Sequence, residues 1–199
     1  VRKRIVSALP TPPTRPIVPS IGIIHDRAAV EIQRGCSRGC RFCQAGMIYR
    51  PIRERSAEEV LAAVDEIVAN TGYDEVGLVS LSSSDHGQIT AIVEEIMERH
   101  RDDGLAVSLP SLRIDSFSVE LAQLIQQQRK TGFTFAPEAG SQRMRDLINK
   151  GIDKDQILEA VQRLAEAGII NLKLYFLIGL PGEADEDIEA IITLSDEIR

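Results

Sequence analysis

The chain has 199 residues, of which 43% are hydrophobic and 27% are charged. This composition is ordinary for a globular domain with its own core. No apolar run approaches the roughly 20 residues of a membrane span, which argues against a membrane protein.

The net charge of −7 is unevenly distributed along the chain. Residues 1–55 carry 11 Lys or Arg and 3 Asp or Glu, a net charge of +8, whereas residues 56–199 carry 12 and 27, a net charge of −15. Two explanations fit the basic segment: neutralisation of a bound anionic group, or a nucleic-acid patch. The acidic overall balance and the lack of an aromatic-rich stripe favour the first.

The first 20 residues contain five prolines, which forbid regular helix and favour an extended chain. We therefore expect residues 1–20 to be an interdomain linker and residues 21–199 to form one core domain.

Strands and helices are expected to alternate along the core domain. Short apolar runs predict strands at Ala28–Gln33, Val76–Leu81, Ala106–Leu109, Phe133–Phe135 and Asn171–Ile178. Helical periodicity predicts helices at about 57–69, 88–101, 119–128, 142–149 and 154–167, and a last one from about 185 onward. Ser56, Ser118 and Asp153 are the predicted N-caps of three of them.

About five β/α units in this order predict an α/β fold with a parallel sheet covered by helices. An open doubly wound sheet and a partial barrel both agree with the pattern, and periodicity does not separate them.

All three cysteines of the chain lie directly after the first predicted strand. Cys36, Cys40 and Cys43 have the spacing C-x3-C-x2-C. A [4Fe–4S] cluster is usually held by four cysteines, so three thiolates leave one iron open to a small molecule. Gly35 and Gly39 allow the backbone to fold tightly around such a cluster. Free thiols and an oxygen-sensitive cluster predict a reducing compartment, the cytoplasm.

A structural zinc site is the main alternative for these cysteines. It would need a fourth ligand, usually in two separated pairs, and neither His25 nor His86 has a usual spacing. A disulfide framework fails because the cysteine count is odd and the chain is not short.

The cysteine spacing, with the aromatic residue Phe42 before the last cysteine, resembles the signature of the radical S-adenosylmethionine (radical SAM) enzymes. The resemblance implies that the open iron binds the amino and carboxylate groups of S-adenosylmethionine. One electron, from a donor such as flavodoxin or ferredoxin, then cleaves this cofactor to a 5'-deoxyadenosyl radical that abstracts hydrogen from a substrate. It also implies a (β/α)6 partial barrel, of which residues 21–199 would be a core truncated before its last unit.

Three longer stretches, 34–51, 80–85 and 135–141, are similar to one branch of this family. Its members carry a cobalamin-binding-like domain before the radical SAM domain, which implies cobalamin bound outside this chain. More distantly, the pattern resembles the methylthiotransferases, so modification of tRNA or a ribosomal protein is an alternative function. A non-catalytic iron–sulfur or zinc module is a further alternative.

Polar residues follow each predicted strand, at the rim where α/β barrels bind ligands. The resemblance implies that this rim holds S-adenosylmethionine, and it specifies no catalytic side chain. The expected cofactor-binding residues are Phe42, Ser82, Ser83, Ser84, Arg113, Glu138, Ser141, Arg143 and Lys173.

Each of these assignments has a structural alternative. The serines suit a turn held by local hydrogen bonds. Arg143 suits a solvated helix face. Lys173 lies inside an apolar strand, where it either reaches the floor of the site or extends outward to solvent.

Overall fold

The structure, a computed structural model, describes residues 4–114, 119–128 and 133–199. The strands are β1 (Ala28–Glu31), β2 (Gln33–Arg34), β3 (Arg53–Glu54), β4 (Glu75–Val79), β5 (Ala106–Ser108), β6 (Phe133–Glu138) and β7 (Leu172–Phe176). The helices are α1 (Gln44–Ile48), α2 (Ala57–Thr71), α3 (Ile89–Arg99), α4 (Val119–Gln128), α5 (Gln142–Leu147), α6 (Lys154–Glu166) and α7 (Asp185–Ile198).

The five predicted strands and the six predicted helices are therefore present. The first strand is shorter than expected, because the chain leaves β1 after Glu31 and Gln33–Arg34 pairs instead with β3 in an antiparallel ladder. Helix α1, which begins directly after Cys43, and the short strand β3 were not predicted.

The main strands pair in parallel. Strands β1, β4 and β5 form one sheet in that order, and β6 pairs with β7 in a second. Among the described residues no ladder joins β5 to β6, so these strands do not form one continuous sheet. The α/β prediction with a parallel sheet is confirmed, and the partial barrel is consistent with this arrangement.

Local sequence explains where the helices begin and end. Ser56 and Asp153 each form a capping box, at the starts of α2 and α6. Gly72 ends α2 in the left-handed conformation. Ser118, the predicted cap of α4, lies outside the described residues.

A continuous apolar core lies between the strands and the helices. The apolar faces of α2 and α3 pack on the three-stranded sheet, whose Val30, Val76 and Leu78 are fully buried. Successive residues of a strand point to opposite faces of the sheet. Because Val30, Val76 and Leu78 are buried against the helices, the residues that alternate with them point away from the helices, toward the barrel interior. No described helix has both the length and the hydropathy that a membrane crossing requires.

Residues 4–24 contain no helix or strand, and side chains of the core bind their backbone. Arg53 donates to the Val6 carbonyl at 3.0 Å and Arg55 to that of Pro10 at 2.6 Å. The proline-rich segment therefore runs along the core domain.

Candidate metal and cofactor site

The cysteine loop, residues 35–52, is closed at its base by the β2–β3 ladder, in which Gln33 pairs with Glu54 and Arg34 with Arg53. Gly35 begins the loop with φ +97°, a conformation that favours glycine. A Cβ at Gly35 would lie 2.6 Å from the Tyr49 carbonyl oxygen, so the two ends of the loop approach too closely for any side chain.

Two arginines of the basic segment, residues 1–55, bind backbone carbonyls of the loop. Arg50 donates to the Cys36 carbonyl at 3.2 Å and to that of Ser37 at 3.5 Å. Arg53 donates to the carbonyls of Tyr49 and Pro51, at 3.1 and 3.2 Å. These guanidinium groups bind backbone carbonyls of the loop. Part of the positive charge in residues 1–55 therefore has a structural role that needs no nucleic-acid partner.

The end of α5 holds the loop from outside. The Asn149 side chain donates to the Gly39 carbonyl at 2.9 Å. The Arg41 amide donates to the Ile148 carbonyl at 2.8 Å, and its guanidinium donates to the Leu147 carbonyl. Segments more than 100 residues apart in sequence thus fix the position of the cysteines.

The three cysteines line one cavity of about 220 Å³, which we call the cluster cavity. The ends of β4, β5 and β6 supply its other walls. Its lining residues are Cys36, Arg38, Gly39, Cys40, Phe42, Cys43, Gly46, Leu81, Ser111, Leu112, Arg113, Ala136, Glu138 and Lys150. The structure therefore brings Phe42, Arg113 and Glu138 together with the cysteines, as the parallel fold predicts for strand ends.

An ion pair lies inside the cluster cavity. Lys150 Nζ donates to Glu138 Oε1 at 3.1 Å, and both side chains are largely buried. Arg113 donates to the Lys150 carbonyl at 3.2 Å. Arg38 forms a bidentate pair with Asp85, with one of its distances 3.0 Å. Charged groups of both signs therefore stand beside the thiols.

Lys150 was not predicted from the sequence, although one signal for it exists. Helix α5 has only six residues, roughly 9 Å, which is too short to return the chain to the far end of the sheet. The residues that follow α5 therefore stay at the rim, and Lys150 is one of them.

The donor set fits a cluster held by three thiolates. The cysteines are free and half-buried, and Cys43 Sγ accepts a hydrogen bond from the Gly46 amide at 3.3 Å. Amide hydrogen bonds to sulfur are among the features that tune the potential of iron–sulfur clusters. Within the described ranges no three His, Cys, Asp or Glu side chains converge closely enough to ligate a single metal ion. All three thiols line the same cavity, as ligands of one iron–sulfur cluster must.

The three serines after β4 do not line the cluster cavity, and their hydroxyls bind protein groups. Ser82 donates to Asp85 at 2.7 Å, and Ser83, fully buried, donates to the Leu78 carbonyl at 3.2 Å. The Ser84 hydroxyl accepts from the Arg113 amide at 3.1 Å. The first two bonds order the turn after β4, and the third joins this turn to the segment that carries Arg113 into the cavity.

Ser141 and Arg143 also bind within the protein. Ser141 caps α5 and donates to Asp187 at 2.6 Å, and Arg143 pairs with the same carboxylate. The hydrogen bonds from Ser141 and Arg143 lower the pKa of Asp187 to about 2. Arg145, which is 1% exposed, donates to the carbonyls of Ala139 and Gly140 at 2.9 Å. The contacts of Ser141 and Arg143 with Asp187 join α5 to the start of α7, and those of Arg145 hold the turn after β6.

Lys173 does not line the cluster cavity and is exposed. It is paired in register with Thr134, four residues before Glu138, and so lies roughly 13 Å below the rim along the strand. The structure thus places it away from the cavity floor at which it was expected.

A family model described as "Radical SAM superfamily" matches residues 30–194, which include the whole cysteine loop and every strand from β2 to β7. The chain belongs to the radical SAM superfamily. The membership makes the chain an enzyme domain of a family whose cofactors are a [4Fe–4S] cluster and S-adenosylmethionine.

The curated relatives that match this chain are longer than the present sequence. The uncharacterized protein MJ0966 of Methanocaldococcus jannaschii is 36% identical over 170 residues, which are 85% of this chain and 37% of that protein. The tRNA-2-methylthio-N(6)-dimethylallyladenosine synthase of Desulforamulus reducens is 22% identical over 186 residues, 87% of this chain and 40% of the enzyme. The chain thus spans about two fifths of these relatives.

Solved radical SAM structures share the fold. The methyltransferase TsrM of Kitasatospora setae, with cobalamin and a [4Fe–4S] cluster bound, has a TM-score of 0.67 at 17% identity, over 85% of this chain and 32% of that chain. The cobalamin-dependent enzyme OxsB, with aqua-cobalamin bound, has a TM-score of 0.61 at 17% identity, over 83% and 26%.

Proposed function

We propose that Cys36, Cys40 and Cys43 hold a [4Fe–4S] cluster whose open iron binds S-adenosylmethionine in the cluster cavity. When bound, this cluster supplies the electron that cleaves S-adenosylmethionine to a 5'-deoxyadenosyl radical, which abstracts hydrogen from a substrate. The observation that carries the proposal is the shared cavity: three free thiols face the same space as Arg113, Glu138 and Lys150.

The charged residues of the cavity have complementary tasks in this proposal. Arg113 and Lys150 supply positive charge for the carboxylate of S-adenosylmethionine, and Glu138 supplies an acceptor for its amino group or ribose hydroxyls. Phe42, with 42% of its surface exposed, offers an apolar wall beside the last cysteine. Ser84, Ser141 and Arg143 act through the turns they order.

The electron donor is proposed to be a small redox protein such as a flavodoxin or ferredoxin, and a reducing compartment, the cytoplasm, suits both the donor and the free thiols. For the whole protein we propose a cobalamin-assisted reaction, with cobalamin bound outside this chain. The structural likeness to TsrM and OxsB, named as cobalamin enzymes, supports it. Methylthio transfer is the second candidate, because several relatives bear that name.

Metal content tests the cluster. Anaerobic reconstitution of the chain should give about four irons and four sulfides per chain, as a cube requires. Replacement of Cys36, Cys40 or Cys43 by alanine should each prevent stable cluster formation. One zinc per chain with no iron would overturn the proposal. Binding of cobalamin by the full-length protein would favour the cobalamin-assisted reaction over methylthio transfer, because only the first of the two proposed reactions uses cobalamin.

A further inference from the structure

Helix α1 forms a wall between the cluster cavity and solvent. Cys43 is its N-cap, and Cys43 and Gly46 both line the cavity, with the Gly46 amide donating to Cys43 Sγ at 3.3 Å. The opposite side of the helix faces solvent, since Met47 is 60% exposed and Ile48 is 48% exposed. A helix is roughly 10 Å across with its side chains, so α1 alone separates the cysteines from a molecule that lies on its outer side.

The outer side of α1 presents consecutive apolar and aromatic side chains. Met47 and Ile48 are followed by Tyr49, which is 46% exposed. We call these three residues the α1 face. Adjacent large side chains left open to solvent in this way mark a surface on which another molecule binds.

Positive charge surrounds the α1 face. Residues 35–53 contain four arginines and no Asp, Glu or Lys. Arg41 and Arg53 donate to backbone carbonyls, and in the part of the chain that the structure describes no carboxylate pairs with either of them. Both positive charges therefore remain available to an acidic partner.

The composition of this surface favours a protein over a nucleic acid as that partner. Protein–protein interfaces are enriched in Met, Tyr and Arg and depleted of Lys, as the α1 face and its flanking arginines are. Phosphate backbones are bound by Lys as well as Arg, and their binding does not require an apolar centre such as Met47 and Ile48.

We propose that the α1 face is the docking surface of an acidic protein that carries one electron, with Met47 in contact with the carrier and Arg41 and Arg53 attracting it. This rests on the proposed function, in which the carrier is oxidised by one electron and the cluster is reduced by one. Electron transfer weakens steeply with distance, so the carrier has to approach the thin wall beside the cysteines. Transient redox complexes use small interfaces, which suits a face of this size.

The probe for the test is a flavodoxin of acidic net charge, and dithionite is the control because a small reductant needs no docking surface. In the anaerobically reconstituted full-length protein, Met47→Glu should lower the affinity for flavodoxin by at least about tenfold, measured by biolayer interferometry. Reduction of the cluster by reduced flavodoxin should slow by a similar factor, whereas reduction by dithionite should not change.

Two further variants separate charge from lost apolar contact. Met47→Lys removes the same apolar side chain without adding repulsion, so it should lower the affinity by less than about threefold. Ile192→Glu adds the same negative charge at a 64% exposed residue of α7 and should change neither binding nor reduction. Raising the ionic strength from low to physiological should weaken wild-type binding by at least about threefold.

Several results would overturn the proposal. They are wild-type binding of flavodoxin by Met47→Glu, equal losses for Met47→Glu and Met47→Lys, and binding that does not depend on salt. Binding of bulk tRNA that Met47→Glu abolishes, with reduction by flavodoxin unaffected by the variant, would assign the α1 face to RNA instead and would also overturn it.

Iron content, measured in the same samples, separates this inference from the cluster, because binding of flavodoxin itself needs no iron. A protein that holds about four irons and is reduced by dithionite, but binds flavodoxin equally well as wild type and Met47→Glu, rejects the docking surface alone. A protein without iron whose binding of flavodoxin is lost in Met47→Glu supports the docking surface while the cluster proposal fails.

Discussion

Lys150 Nζ and Glu138 Oε1 are 3.1 Å apart inside the cavity that the three cysteines line. Their side chains are 10% and 13% exposed, so each charge has lost most of its water and depends on the other. The pair joins Glu138, the last residue of β6, to Lys150, which lies three residues after the end of α5.

Removal of either partner should therefore destabilise the chain, and removal of both should cost less than the sum of the two single losses. Lys150→Met and Glu138→Gln are each expected to lower the free energy of unfolding by about 2 kcal/mol, since each leaves a charge or acceptor without its partner. The double variant should lose clearly less than the sum of the two, in urea denaturation of the chain without cluster. Strictly additive losses would show that the two side chains do not interact.

Gly35 should tolerate no side chain. Gly35→Ala would place a Cβ at 2.6 Å from the Tyr49 carbonyl oxygen and 2.8 Å from that of Pro51, in addition to a left-handed φ. Gly104→Ala is the matched control, because Gly104 also has a positive φ but nothing within 4 Å of the added Cβ. We expect Gly104→Ala to cost about 1 kcal/mol in urea denaturation and Gly35→Ala about 3 kcal/mol or more. Equal losses would mean that the ends of the loop are not closely packed.

Arg50 should control how firmly the cluster is held. Its guanidinium binds the carbonyls of Cys36 and Ser37, so Arg50→Met should loosen the loop without touching a thiol. The expected result is loss of iron to a chelator about tenfold faster than in the wild type, with circular dichroism unchanged. Arg101→Met removes an exposed arginine that pairs with Glu98 and should leave the rate unaltered. Equal rates for both variants would count against this role of Arg50.

The Asp187 carboxylate should make stability depend on pH in the acid range. Its pKa is lowered from 3.8 to about 2 in the folded chain, chiefly by the hydrogen bond from Ser141 and then by Arg143. A lowered pKa means that the contribution is fully present above about pH 4 and disappears as the pH falls toward 2. The difference in unfolding free energy between wild type and Asp187→Asn should therefore shrink over pH 4 to 2.

The control for this experiment is Asp196→Asn, which removes an exposed carboxylate from the same helix. Its difference from the wild type should stay small across the range. A constant difference for Asp187→Asn between pH 5 and pH 2 would show that the carboxylate titrates normally.

The fold could be predicted because its signals are local. The capping boxes at Ser56 and Asp153 mark two helix starts by a side chain and a residue three positions later. Short, largely apolar runs of three to eight residues mark the strands, and the order of strands and helices predicts the parallel sheet. The β2–β3 ladder was missed because two-residue strands carry no periodicity.

The sequence predicted part of the lining of the cluster cavity. The parallel fold places Phe42, Arg113 and Glu138 in the cavity that the cysteines line, and their binding of S-adenosylmethionine stays a prediction. Pattern alone did not distinguish side chains that face the cavity from those, such as Ser83 and Arg143, that hold the turns from behind. Lys150 was missed because its partner Glu138 is twelve residues away and their meeting depends on how short α5 is.

The most direct test of the central claim is the product of S-adenosylmethionine under reducing conditions. The anaerobically reconstituted chain, reduced with dithionite, should release methionine and 5'-deoxyadenosine in equal amounts, slowly in the absence of substrate. A chain with Cys36, Cys40 and Cys43 all replaced by alanine should release neither. If the reconstituted full-length protein holds its iron but forms only S-adenosylhomocysteine, the proposed radical chemistry is contradicted.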